Sequence, residues 1–534
     1  MSQHSSRRDF ARGVAAGIAA AALPGGSSRG AVVKKDTLRF IAQSDLRVLD
    51  PIWTPAYVTR NHGYCVFDTP FAIDAGFRPH PQMIGEHAVS ADGLRYWFEL
   101  REGLGFHDGG PVRGVDCVAS LKRWMARDGH GQALMAVLDA IEPDGVKAFT
   151  IRLKEPFTLL LEGLAKVSSL PPFVMPERLA ETPPFQQVAE MIGSGPFRFA
   201  RDEFEPGHRV VYVKNPDYVP RREPPDWASG GKVVKVERVE WLVIPDATTK
   251  LAALDKGEAD WWENPPLELV PALAANSGIA VVPADPLQQT LMLRFNHLLP
   301  PFDNVRMRRA VLAVVDQAEF LSALAGDRQN WETCPSFFTC GTPMANAAGS
   351  EALTGKRDFD KAKALIAEAG YQGEKIVVLD AVDQPTVHAQ SLVVGELLTK
   401  LGLNVDVQAM DWGTLVVRRA SKAPVAEGGW NLFATAWGGA DMLDPVQELP
   451  LRMNGGSGYF GWARDDEMEA LRARWIRAPS RAERERLAAL IQAQAFEVVP
   501  YIPTGQWKPV TAYNKRLAGV IRAPVALMWN VAKT

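Results

Sequence analysis

The chain has 534 residues, a mass of 58.5 kDa and a formal net charge of −3, with 47% hydrophobic and 23% charged residues. That balance excludes a disordered chain, a collagen and a coiled-coil rod, and the length leaves room for about three to four domains. With 59 basic against 62 acidic residues there is no basic excess, which argues against a nucleic-acid binder.

The first 31 residues read as a targeting leader. Ser6-Arg7-Arg8-Asp9-Phe10 has the twin-arginine export pattern, and the apolar run from Gly13 to Leu23 ends at Pro24-Gly25-Gly26. That run falls well short of the ~20 residues of a membrane span. The stretch holds no Cys, so a free periplasmic protein is expected and not a lipid-anchored one.

From Thr37 onward, alternating runs predict strands at Thr37 to Ala42, Tyr96 to Leu100, Phe149 to Leu153, Val233 to Ile244, Ile376 to Leu379 and Val405 to Val407. Helices announce themselves by their caps. Asp303 precedes an apolar face that begins at Val305, and Phe302 can staple against Met307. Asp360 opens a helix that Gly370 closes, Asp465-Asp466-Glu467 caps another, and Ser480 with Glu483 forms a capping box. Strands and helices at this spacing argue for α/β layers. The Pro- and charge-rich segment 215–232 reads as a surface loop.

No motif for catalysis stands out. There is no Gly-x-Ser-x-Gly elbow and no phosphate loop, and Pro196 spoils Gly193-Ser194-Gly195 as a phosphate cradle by removing an amide donor. The nine His are scattered and no Cys-x-x-Cys occurs, so neither a metal nor another cofactor is expected. Fifteen Trp against nine Tyr is an unusual surplus that suits either large cores or an aromatic pocket. Of the four Cys, Cys65 and Cys117 sit in apolar surroundings as small hydrophobes. Cys334 and Cys340 either close a small disulfide loop in an oxidising compartment or remain two thiols.

Several spaced segments carry a resemblance. They are Ser90 to Gly109 with the helix Val115 to Arg123, Gly193 to Phe197, Asn215 to Tyr218 and Leu254 to Asp260, then Phe295-Asn296 with Pro301-Phe302-Asp303, Arg306 to Asp316, and Asp360 to Tyr371. In this order they resemble the extracytoplasmic solute-binding proteins of ABC importers, in the peptide/nickel family that includes dipeptide- and oligopeptide-binding proteins. The resemblance covers about residues 36 to 534. It implies a two-lobed α/β clamshell of the type II periplasmic-binding-protein class: lobe I over 32–290 with an extra subdomain at about 70–190, lobe II over 291–503, and a return to lobe I over 504–534. The implied crossing strands are Leu291 to Asn296 and Val499 to Pro503.

The resemblance further implies a non-enzymatic monomer that captures a small ligand, peptide-like by default, and hands it to ABC permease subunits in the inner membrane. Opines, glutathione-like compounds and amino-sugar conjugates stay open as cargo. The rival readings are a nickel or metal-chelate binder of the same family and an exported cofactor enzyme. In peptide-binding members an Asp after a Trp pairs with the peptide's α-ammonium. In Trp437-Gly438-Gly439-Ala440-Asp441 the matching residue is Asp441, with a gap one residue longer than usual. Trp437 is a candidate pocket wall. One of Trp261 and Trp262 is expected to face the ligand and the other the core, because loops at strand ends face the crevice in open α/β sheets. Trp53, Tyr57 and Asn296 complete the candidates, and Asp444 before Pro445 reads as a turn residue.

Overall fold

The computed structural model describes residues 36–534; the leader expected over residues 1–31 lies outside them. Two mixed sheets organise the chain. The first has seven strands in the order Ile279–Pro283, Val510–Asn514, Trp261–Trp262, Thr37–Ile41, Arg238–Leu242, Arg209–Lys214 and Phe197–Phe199. The second has six, in the order Trp331–Glu332, Tyr501–Trp507, Gln289–Phe295, Leu432–Gly438, Ile376–Ala381 and Val405–Met410. Thr37–Ile41 runs parallel to Arg238–Leu242, and Ile376–Ala381 parallel to Val405–Met410, as α/β layering requires. A separate antiparallel sheet of four strands, Ile84–Val89, Arg95–Leu100, Ala148–Leu153 and Leu138–Asp144, packs against the helix Gly114–Arg127.

The chain passes between the two large sheets twice. It leaves the first after Pro283 and enters the second at Gln289, then leaves after Trp507 and rejoins the first at Val510. The passages are therefore 284–288 and 508–509. Leu291 to Asn296 and Val499 to Pro503, expected to cross, belong instead to neighbouring strands of the second sheet and the turns that bound them. A central strand buried on both faces reads as a near-continuous apolar run. Gln289–Phe295 is such a strand, buried along all but its first residue.

Local chemistry places most elements where the sequence puts them, with shifts at the caps. Asn304, not Asp303, caps the helix Val305–Leu312, its Oδ1 accepting the Arg306 N–H at 3.0 Å. Asp358, not Asp360, caps Phe359–Ala369, which Gly370 closes at φ 76°. Ser480 caps Arg481–Val498 and Asp465 caps Asp466–Ile476, both accepting backbone N–H groups. The strand expected at Val233 to Ile244 is shorter, Arg238–Leu242.

The Trp surplus is largely core. Trp124, Trp241, Trp262, Trp430, Trp475 and Trp529 are among the largest fully buried side chains. The 215–232 segment is less superficial than its composition implies. Lys232 is fully buried in an ion pair with Asp68 at 2.6 Å, over the ring of Trp529, and Tyr218 donates to the same carboxylate at 3.0 Å. Cys334 and Cys340 are joined by a disulfide, and Cys65 and Cys117 are buried free thiols.

Candidate ligand-binding cleft

The cleft between the lobes is built from chain segments far apart in sequence. On the first lobe, Tyr57 begins the helix Tyr57–Val66, and Arg60, one turn on, lies over its ring at 4.7 Å. On the second lobe, the strand Leu432–Gly438 ends in a tight turn, Gly439–Asp441. The Tyr57 hydroxyl donates to Asp441 Oδ2 at 2.5 Å and accepts the Gly438 N–H at 2.9 Å. Asp441 Oδ1 accepts the Ser169 N–H at 2.9 Å, so both oxygens are satisfied from the opposite lobe. Burial, then the charge of Asp441, push the Tyr57 hydroxyl well above its ordinary range, so it stays a donor.

Glycine lets the two lobes approach this closely. A Cβ on Gly438 would stand 2.9 Å from the Tyr57 hydroxyl, and one on Gly439 only 2.1 Å from the Leu287 carbonyl oxygen in the hinge passage. The Gly-Gly pair of this loop is therefore what allows the turn to seat against both the hinge and the first lobe.

Two chambers flank this contact. The hinge-side chamber, about 70 Å³, is lined by Tyr57, Arg60, Trp261, Glu263, Asp285 and Ala440, among others. The distal chamber, about 170 Å³, is lined by an apolar set including Phe77, Val167, Leu443 and Trp475, and by Glu162 and Arg484. Both are smaller than the roughly 300 Å³ of a typical small-molecule pocket, so a ligand of that size needs the lobes to part.

Burial sets the electrostatics of the hinge-side chamber. It raises the carboxyl of Glu263 to about 7, against the hydrogen bonds Glu263 accepts from the Gln43 N–H and Asn61, both at 2.8 Å. It raises Asp285 to about 7 as well; that side chain accepts the Leu287 N–H at 2.8 Å. In the distal chamber burial likewise raises Glu162, and Lys166 is paired with buried Asp128.

The candidate residues separate by their surroundings. Asp441, Tyr57 and Trp261 come together at the cleft. Trp261 donates its Nε1–H to Thr511 Oγ1 at 2.6 Å, whereas Trp262, its neighbour on the strand, packs into a core cluster with Leu254, Leu273 and Ile279. Opposite faces of one strand account for the split. Trp437 lines neither chamber; its ring meets Tyr459 edge-on at 5.5 Å. Trp53 also lies outside both, its Nε1–H held by the Phe185 carbonyl at 3.1 Å.

Asn296 is fully buried at the end of its strand away from the hinge. It donates to the Trp430 carbonyl at 2.9 Å and accepts the Leu298 N–H at 3.0 Å, so its amide is spent on the second lobe's own packing. Asp444 is a turn residue, accepting the N–H groups of Val446 and Gln447.

Four cleft residues lay outside the sequence-based set. Glu263 and Arg60 had signals: strand alternation puts Glu263 on the face of Trp261, and helical spacing puts Arg60 beside Tyr57. Ser169 and Asp285 had none, because loop and hinge positions carry no periodicity. Among the described residues no cluster of three or more His, Cys, Asp or Glu is placed to hold a metal ion, and no helix is long and apolar enough to cross a membrane.

Residues 78–459 match the family described as bacterial extracellular solute-binding proteins, family 5 middle. The chain belongs to this family. Over 531 residues, 99% of each chain, it is 40% identical to a probable peptide ABC transporter periplasmic-binding protein of Sinorhizobium fredii (strain NBRC 101917 / NGR234). It is 26% identical over 521 residues, 95% of each chain, to a glutathione-binding protein of Shigella flexneri. Among solved structures, a dipeptide-binding protein from Pseudoalteromonas sp. SM9913 in complex with Met-Leu matches with a TM-score of 0.77 at 19% identity, over 93% of this chain and 100% of that one. At that identity the likeness speaks for the fold alone. These family 5 relatives are binding proteins, and the two lobes, mixed sheets and double passage of this chain are those of a type II clamshell.

Proposed function

We propose that this family 5 protein is the substrate-binding component of an ABC importer, and that it captures a peptide or peptide-like amine between its lobes and delivers it to the permease. The observation that carries the cargo reading is Asp441: a buried carboxylate at the junction whose two oxygens are met, among the described residues, only from the opposite lobe. When the lobes part, Tyr57 and Ser169 leave with the first lobe and both oxygens are freed. A ligand ammonium can then take the place of the hydroxyl, and a charge-assisted bond is roughly twice as strong as a neutral one. The 40% identical relative, named as a peptide-transport component, supports the same cargo class. In this reading the protein is exported by its twin-arginine leader, acts as a free periplasmic monomer, and presents its closed form to the permease.

The test is calorimetric titration of the purified protein with Met-Leu and with N-acetyl-Met-Leu. The free amine is expected to bind with one site per chain, and acetylation to weaken binding by about 30-fold or more, as loss of one partner of a buried charge pair does. Equal binding of both forms would remove the ammonium from the mechanism. No binding of Met-Leu, glutathione or a tripeptide set would overturn the peptide reading.

A further inference from the structure

The turn that carries Asp441 is held from both lobes. Tyr57 and Ser169 hold it from the first, and both leave when the lobes part. The second lobe holds it through Thr339, which is fully buried. The Thr339 hydroxyl donates to the Gly439 carbonyl at 2.8 Å, and its N–H donates to the Met442 carbonyl at 3.0 Å. One residue therefore grips the turn just before and just after Ala440-Asp441. The Gly439 N–H adds a bond to the Gln288 carbonyl in the hinge passage, at 2.9 Å.

Thr339 sits in a loop that is closed covalently. The Cys334–Cys340 disulfide makes residues 334–340 a small ring, and Thr339 is the neighbour of Cys340. Cys334 is the firmly anchored end. Its N–H donates to Gln317 Oε1 at 2.7 Å, and its carbonyl accepts from Gln317 Nε2 at 2.8 Å. The same Nε2 reaches the Pro503 carbonyl at 2.9 Å, which ties this end to the strand Tyr501–Trp507 of the second sheet. Inside the ring, Phe337 packs edge-on against Tyr501 and Phe496. The end beside Thr339 is held more lightly: the Cys340 N–H donates to Gln506 Oε1 at 3.1 Å, and the disulfide supplies the rest.

We propose that the Cys334–Cys340 ring is a clasp that positions Asp441 for the cargo, acting through Thr339, so that capture depends on the oxidised state of the pair. This rests on Asp441 being the ammonium site. Cys334, Thr339 and Cys340 line neither chamber, so they are positioning residues. A carboxylate already fixed when the ligand arrives leaves no ordering cost to be met on binding, whereas a loose turn must be ordered then. Thr339 does this in the open form, where Tyr57 and Ser169 are gone. Cys340 is half-buried, so a dithiol reaches the bond. Reduction breaks the S–S bond and leaves two thiols; two electrons and two protons come from the dithiol, which closes to a disulfide. The Thr339 end of the ring then keeps its hydrogen bonds alone.

The experiment titrates Met-Leu and N-acetyl-Met-Leu into oxidised wild type, wild type reduced with dithiothreitol, Cys334→Ser/Cys340→Ser, Thr339→Val and Thr339→Ser. Alkylation counts the thiols released, Cys65 and Cys117 being buried, and thermal melting checks that each form folds. Thr339→Val should weaken Met-Leu by about 2- to 10-fold, as loss of one hydrogen bond does. Reduction and the double Cys variant should weaken it at least as much, and Thr339→Ser, which keeps the hydroxyl, should restore it. The acetylated peptide has no ammonium and should lose less, so the preference for the free amine shrinks. Hydrogen exchange reads the turn without any peptide. The Gly439 and Met442 N–H groups, which donate to the Gln288 and Gly439 carbonyls, should exchange faster after reduction and in Thr339→Val.

An equal loss for both peptides, which a general loosening of the lobe would give, or an unchanged exchange of the turn on reduction would overturn the clasp and leave the peptide reading standing. If neither peptide bound while reduction and Thr339→Val both speeded exchange of the turn, the peptide reading would fall and the clasp would stand. If exchange did not change either, both would fall.

Discussion

The hydroxyl of Tyr57, on the first helix of one lobe, lies 2.5 Å from the carboxylate of Asp441, on a turn of the other. The residues are 384 positions apart in sequence, and the contact exists only because the chain passes twice between its sheets. It makes the closed form self-consistent without cargo, with a phenol standing where the proposed ligand ammonium would go. Hydrogen bonds to charged groups contribute about 1.5–3 kcal/mol. Tyr57→Phe should therefore shift the lobe equilibrium of the empty protein toward the open form by roughly 10- to 100-fold. Small-angle scattering without ligand checks this: the radius of gyration should rise in the variant, and an unchanged value would show that other contacts hold the lobes.

Asp441→Asn removes the charge while keeping the shape of the turn. An amide can still accept from Tyr57 through its oxygen, but its NH2 group then faces the Ser169 N–H, so the empty protein should fold while its closed form is weakened. Binding of an amine cargo should weaken by about 2–5 kcal/mol, roughly 30- to several-thousand-fold. Calorimetry with Met-Leu measures it, and an affinity within a few-fold of wild type would take Asp441 out of the site.

Much of this arrangement was legible before any coordinates, and the reasons are local. Strands such as Thr37–Ile41 and Ala148–Leu153 show their burial as alternation, and the helix at Arg481–Val498 is announced by Ser480. Asp441 was named through the resemblance of its segment to the family's pattern of an Asp after a Trp, with a gap one residue longer here, and one of the Trp261–Trp262 pair through its strand-end position. Trp437 and Asn296 line neither chamber, since an aromatic ring or an amide beside a cleft motif serves the core equally well. Here Tyr459 and the Trp430 carbonyl claim them. Asp303 and Asp360 were displaced as caps by Asn304 and Asp358, since neighbouring polar residues compete for the same amides. Ser169 and Asp285 were invisible: their role comes from tertiary approach, which no periodic pattern encodes.

The Lys232–Asp68 pair is fully buried, and it ties the irregular 215–232 segment into the first lobe. Lys232→Met would leave the Asp68 carboxylate buried with, among the described residues, only the Tyr218 hydroxyl and the Thr69 N–H donating to its two oxygens. Breaking one side of a buried pair typically costs about 3–5 kcal/mol, while replacing both sides is far milder. Urea unfolding should show a large loss for Lys232→Met and substantial recovery in Lys232→Met/Asp68→Asn. No recovery in the double variant would mean that Lys232 acts through its packing on Trp529 and not through its charge.

Glu263 links the cleft to the pH dependence of stability. Its carboxyl is raised by burial from the ordinary 4.5 to about 7. Between those values the folded state holds a proton that the unfolded state has released. Stability therefore falls as pH rises from about 4.5 to 7 and stays lower above that range. The full displacement corresponds to roughly 3 kcal/mol. Glu263→Gln cannot ionise and keeps through its amide oxygen one of the two hydrogen bonds that Gln43 and Asn61 donate. Relative to wild type, the variant should be least stable near pH 4.5 and gain steadily up to about pH 7.5. Denaturant midpoints at several pH values test this. A difference between variant and wild type that stayed constant across the range would show that Glu263 does not titrate there, and that its buried carboxyl keeps one protonation state throughout.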